Sequence, residues 1–117
     1  MTTLKKDLIR QFAAMTSLET MKDSRLVLLT PAGMIVGTAV PKEEADPNVS
    51  SMTKVTSELA RGYYKENRLP VDAPLEGNDG FFTLKNVLLQ SGGTTAQIPF
   101  LVVFFDQVIA VSVIGNE

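Results

Sequence analysis

The sequence predicts a mainly β domain with added helices: an N-terminal helix, a strongly bent five-stranded antiparallel sheet, and an extra helix inserted between the second and third strands. Three observations predict it. Apolar residues recur at helical spacing in two stretches, near residues 3–20 and 50–66. The other apolar runs are short, rich in Val, Ile, Leu and Phe, and mostly separated by compact turn sequences, as in antiparallel sheets. One of those runs carries Gly37 in its middle, where glycine marks a bulge, a bend or a close backbone approach, and the sheet is expected to bend there. Residues 1–117 are expected to form a single domain, with 41–79 as a structured insertion.

Leu4, Leu8, Phe12 and Met15 share one helical face, which Ile9 and Ala13 widen. Thr3 is a candidate N-cap, and Lys5, Lys6 and Arg10 fall on the other, solvated side. Arg25–Thr30 reads as the first strand, Pro31-Ala32-Gly33 as a turn, and residues 34–40 as the returning strand. Residues 41–48 are a polar loop, and its Glu43, Glu44 and Asp46 lack the spacing of a calcium loop. Met52, Val55, Leu59 and Tyr63 define the inserted helix, which Gly62 weakens near its end. Tyr63 and Tyr64 are expected to fasten that helix to the sheet. With Lys65 and Arg68 they could instead stack on nucleic acid.

Residues 68–80 are irregular, with Pro70, Pro74, Gly77 and Gly80. Residues 81–89 form the third strand. Ser91-Gly92-Gly93-Thr94-Thr95 is a turn, without the Gly-Lys-Ser/Thr ending of a phosphate loop. The stretch from Ile98 to Ile114 reads as two strands joined by a tight turn at Asp106-Gln107. Its first strand is apolar at every position from Phe100 to Phe105. A strand with one wet face alternates apolar and polar residues, so this one wants cover on both faces. In so small a domain the second cover is expected from another copy of the chain.

Composition narrows the function. A formal net charge of −2 provides no overall positive field for nucleic acid, leaving only local basic patches. There is no cysteine, hence no disulfide and no thiolate metal site. There is no histidine, which removes the commonest general base and metal ligand and rules out a Ser-His or Cys-His nucleophile. No carboxylate or lysine cluster converges on a site. The chain is expected to be non-catalytic, with no cofactor and no metal. The charged N-terminal residues do not resemble a signal peptide, and no apolar run approaches the ~20 residues of a membrane helix. A cytoplasmic location without membrane contact is expected.

The segment Leu26-Val-Leu-Leu-Thr-Pro-Ala-Gly33-Met-Ile-Val-Gly37-Thr-Ala-Val40 resembles the first motif of the Sm-like family, the ring-forming, RNA-associated proteins. Thr83-Leu84-Lys85-Asn86-Val87 is similar to that family's third strand. Leu101-Val-Val-Phe-Phe-Asp-Gln-Val-Ile-Ala-Val111 is similar to its second motif, with Phe104 and Phe105 where the family has Arg and Gly. The resemblance implies a small, strongly curved barrel-like sheet capped by the N-terminal helix. It also implies that the fourth strand of one copy pairs with the fifth of the next, closing a ring of about five to seven copies. Phe100, Val102, Phe104, Val108, Ala110, Val111 and Val113 are the residues expected at that interface. The order of elements also resembles roadblock or longin-type domains, dimerising regulatory adaptors in which the inserted helix packs across the central sheet.

The resemblance further implies single-stranded RNA as a partner. Lys5, Lys6 and Arg10, repeated around a ring, could meet phosphates, and Gln107 could read a base edge. The plainer readings are solvated helix charge for the first three and ordinary turn chemistry for Asp106 and Gln107. Phe104 is likewise expected to pack in the core rather than stack on a base.

Overall fold

A computed structural model describes residues 3–16, 24–41, 44–70, 75 and 77–115. The order is helix α1 (Leu4–Met15), strands β1 (Arg25–Thr30) and β2 (Gly33–Ala39), helix α2 (Pro47–Glu66), strands β3 (Phe81–Ser91) and β4 (Thr94–Phe104), a short 3-10 turn (Phe105–Gln107) and strand β5 (Ala110–Ile114). The strands form one antiparallel sheet in the order β4-β3-β2-β1-β5, which is not closed. The fold is therefore the expected one: a leading helix, five antiparallel strands and a second helix between β2 and β3.

α1 starts where Thr3 accepts a hydrogen bond from the Lys6 amide, the N-cap arrangement. The helix is described to Met15; residues 17–20 of the expected span lie outside the described residues. Its buried side is carried by Lys6, Ile9 and Thr16, flanked by Phe12 and Ala13. This corrects the expected face, because Leu4 is 74 % and Leu8 39 % exposed. The apolar arc of α1 is wider than the strip the sheet can cover, and its outer margin is left in solvent.

β1 and β2 form a hairpin, with Leu28 opposite Ile35 and Leu26 opposite Gly37. Gly33 turns at φ 148°, and a Cβ there would lie 2.3 Å from the Gln90 carbonyl oxygen, so only glycine fits. Gly37 stands at a crease. Opposite it β3 carries an extra residue, and the register shifts between Val36 and Thr38. Asn86 takes up that excess in the left-handed region at φ 52°. As a result Leu84 and Val87, three apart, are both buried, which a regular strand with alternating faces would not allow. Pro99 of β4 lies opposite Asn86 and offers no N–H to the ladder, a tolerable loss in an outermost strand. Arg25 donates to the Asn86 carbonyl at 2.6 Å and reaches the Val36 carbonyl at 3.5 Å, satisfying oxygens beside the crease.

β4 and β5 are not a hairpin, which corrects the expected tight turn: they occupy opposite edges of the sheet. The intervening stretch begins with the 3-10 turn, Val108 is 2 % exposed, and the Ile109 amide donates to the Leu29 carbonyl. With a 3-10 rise of about 2 Å per residue, this connection reaches only roughly 16 Å. Four strand gaps in a flat sheet would span roughly 19 Å, so the sheet must curl edge towards edge. The core fills the inside of that curl: Leu26, Leu28, Ile35, Leu84, Val103 and Phe105, closed by Ile9 of α1.

α2 is capped by Asp46, which accepts from the Asn48 amide, with Pro47 in its first turn. The preceding Glu44 receives both short contacts of the Lys85 ammonium, at 2.6 and 3.0 Å, which ties the insertion to β3. Glu43 and Pro74 lie outside the described residues.

Candidate assembly interface

The outermost strands are the structural centre of any site. Among the described residues β4 pairs only with β3, and β5 only with β1. Each therefore offers one side of its backbone to a further strand. On β4, Leu101 and Val103 point into the core. Their neighbours Phe100, Val102 and Phe104 consequently fall on the outer face. Phe100 and Val102 are half-buried; Phe104 is 54 % exposed, which corrects its expected place in the core, because strand alternation gives the core side to Val103 and the turn gives it to Phe105. On β5, Val111 and Val113 pack against the core, whereas Ala110 is exposed.

The expected interface residues therefore divide. Phe100, Val102, Phe104 and Ala110 line outer surfaces of the two edge strands. Val111 and Val113 are half-buried on the core side. Val108 is corrected: it is sealed within its own chain, because the turn needs an apolar anchor to cross from one edge to the other.

The basic residues of α1 divide as well. Lys6, expected in solvent, is 1 % exposed. Its ammonium donates to the Leu75 carbonyl at 3.0 Å and lies 5.4 Å from the Phe105 ring centroid. Burial holds this lysine below its ordinary pKa; the nearby Arg10 cation pushes the same way and Asp79 opposes it. Lys5 is half-buried and Arg10 exposed. The Arg10 guanidinium also lies 5.4 Å from the Phe105 ring centroid, which brings it to the turn that carries exposed Asp106 and Gln107. Arg10 and the 105–107 turn are thus brought together, while Lys6 serves the interior. Nothing in the helical period of α1 singled out Lys6; only its place one turn before Ile9 hinted at it.

The main contact of α2 with the sheet is to β4, and Val49 is buried; a groove between Asn48, Met52, Pro99 and Phe100 runs beside it. Its half-buried side is Thr53, Thr56, Ala60 and Tyr64. Met52 is 46 %, Val55 51 %, Leu59 71 % and Tyr63 48 % exposed, so Tyr63, expected to fasten the helix to the sheet, stands largely in solvent. Tyr63 meets Tyr64 edge-on at 6.1 Å.

A second groove, between α1 and β5, is lined by Leu4, Leu8, Ile109, Ala110 and Val111, with Lys5 on its margin. Among the described residues no three acidic, His or Cys side chains gather as metal ligands, and no helix is long and apolar enough to cross a membrane. Comparison with known protein families, curated proteins and solved structures finds no match to this chain.

Proposed function

We propose that this chain is a non-catalytic, cytoplasmic subunit of the Sm-like kind. It assembles head to tail with copies of itself into a closed ring of about five to seven subunits, which acts as a scaffold with weak affinity for single-stranded RNA. The observation that carries the reading is the strand order β4-β3-β2-β1-β5. It leaves two apolar strands at opposite edges of an unclosed sheet, and the edge of one copy can be satisfied by the opposite edge of the next. A contact between two unlike edges is heterologous, and it makes a ring when its rotation closes.

The position of α2 favours this reading over a dimeric adaptor, in which the inserted helix would cover the central sheet; here its main sheet contact is with the outermost strand β4. Support for RNA is local. Arg10 and Gln107 are exposed beside one turn, and a ring would repeat them in a circle.

Light scattering of the purified chain tests assembly, with Val102→Asp as the control. An unpaired carboxylate at a subunit edge costs several kcal/mol, so this variant is expected to be monomeric with an unchanged circular dichroism spectrum. A wild-type monomer at micromolar concentration sinks the ring. Fluorescence anisotropy with U-rich and A-rich oligonucleotides at two salt concentrations tests RNA, and flat curves remove it.

A further inference from the structure

The most apolar side of α2 lies beside its half-buried side and is open to solvent. At 100° per residue, Met52, Val55, Leu59 and Tyr63 lie about a quarter turn round the helix from the half-buried Thr53, Thr56, Ala60 and Tyr64. An apolar stripe of four side chains left about half or more exposed by its own sheet is a surface for something outside the chain.

The surface indicates what that is. The exposed large apolar side chains among the described residues fall into two unlike groups. Met52, Val55, Leu59, Tyr63 and Phe104 belong to α2 and β4. Leu4, Leu8, Leu29, Ile109 and Ile114 belong to α1, β5 and the strand end beside it. The groups sit at the two opposite edges of the sheet, the edges that a head-to-tail contact brings together. The first is a convex helical stripe and the second includes the groove between α1 and β5.

We propose that the apolar stripe of α2 seats in the α1–β5 groove of a neighbouring copy, making the inserted helix a clamp between subunits. This rests on the head-to-tail reading above and names the surface that makes it stable. Edge pairing alone is short, since five residues of β5 give only about 17 Å of ladder. A stable interface buries about 1,200–2,000 Å² in total. A helix of 20 residues is about 30 Å long and adds apolar area to that contact.

The chain has no cysteine, so introduced thiols report the contact without background. The Leu59→Cys/Leu8→Cys double variant, oxidised after assembly, is expected to give a denaturing-gel ladder of covalent multimers ending at the ring size, while each single variant stays monomeric. Covalent dimers from Leu59→Cys alone would mean that α2 meets α2 across a two-fold axis, which overturns the proposal. A missing ladder from a protein that still forms rings overturns the clamp and leaves the ring standing; a monomeric wild type removes both. The Val55→Glu/Leu59→Glu variant changes only exposed positions, so its circular dichroism is expected to match wild type while its subunit affinity falls at least a hundredfold. Unchanged affinity overturns the clamp.

Discussion

Adjacent phenylalanines at the end of β4 carry opposite burdens, and replacing each with alanine separates folding from assembly. Phe105 is 1 % exposed, packs against Phe82 at 5.0 Å between ring centroids with the rings tilted by 37°, and lies under both the Lys6 ammonium and the Arg10 guanidinium. Truncating a buried phenylalanine to alanine costs about 3–5 kcal/mol through lost transfer energy and the cavity left behind. The aromatic pair adds about 0.5–1.5 kcal/mol, and the buried Lys6 loses the ring that faces its charge. Phe105→Ala should therefore lose about 4 kcal/mol, a large share of the 5–15 kcal/mol of an ordinary domain. Phe104 is 54 % exposed, and its truncation should change the stability of the isolated chain by less than about 1 kcal/mol while weakening subunit association. Urea denaturation followed by far-ultraviolet circular dichroism measures the first effect, at a protein concentration where the chain is dissociated. Sedimentation equilibrium measures the second. A Phe105→Ala loss below about 1 kcal/mol would refute the packing argument, and equal losses for the two variants would refute the division of roles.

Other outcomes follow from the crease and the polar anchors. Gly37→Val brings a Cβ within 3.0 Å of Val87 Cγ2 and 3.2 Å of the Lys85 carbonyl oxygen. It is expected to lower the urea midpoint by an amount equivalent to about 1–3 kcal/mol. Lys6→Met removes a group whose pKa folding depresses: the folded state binds fewer protons there than the unfolded state, so the wild type should gain stability relative to the variant as pH rises towards 10.5. Thermal melts of both proteins across that range check the sign, and a wild-type advantage that shrinks with rising pH contradicts it. Glu44→Gln leaves the Lys85 ammonium, whose side chain is 22 % exposed, without its charged partner. It should cost about 1–3 kcal/mol and speed proteolysis between β2 and β3.

The strands β1 and β2 were legible in the sequence because turn chemistry and apolar patterning agree there: Pro31-Ala32-Gly33 fixes the turn, and Gly37 marks the crease. The second half of the crease was not legible. Asn86 and Pro99 are ordinary polar and turn-forming residues until pairing puts them opposite each other. The strand order was also hidden. Two apolar runs separated by Asp106-Gln107 look like a hairpin, since sequential strands usually pair. What sends β5 to the far edge is the burial of Phe105 and Val108 within the turn, a tertiary contact that no local pattern encodes. Lys6 defeated the polar-outside rule because its aliphatic stem reaches through the core edge to the Leu75 carbonyl. The stripe of α2 was read correctly as a helical face, but which way the face points depends on where Val49 and Phe100 meet.

The central claim is that the edges β4 and β5 of different copies satisfy one another in a cycle. A native mass spectrum at low micromolar concentration tests it most directly. The expected result is one dominant species of about five to seven chains that collapses to monomer on Val102→Asp. A spectrum of monomers, or of two-fold dimers untouched by that substitution, would contradict it.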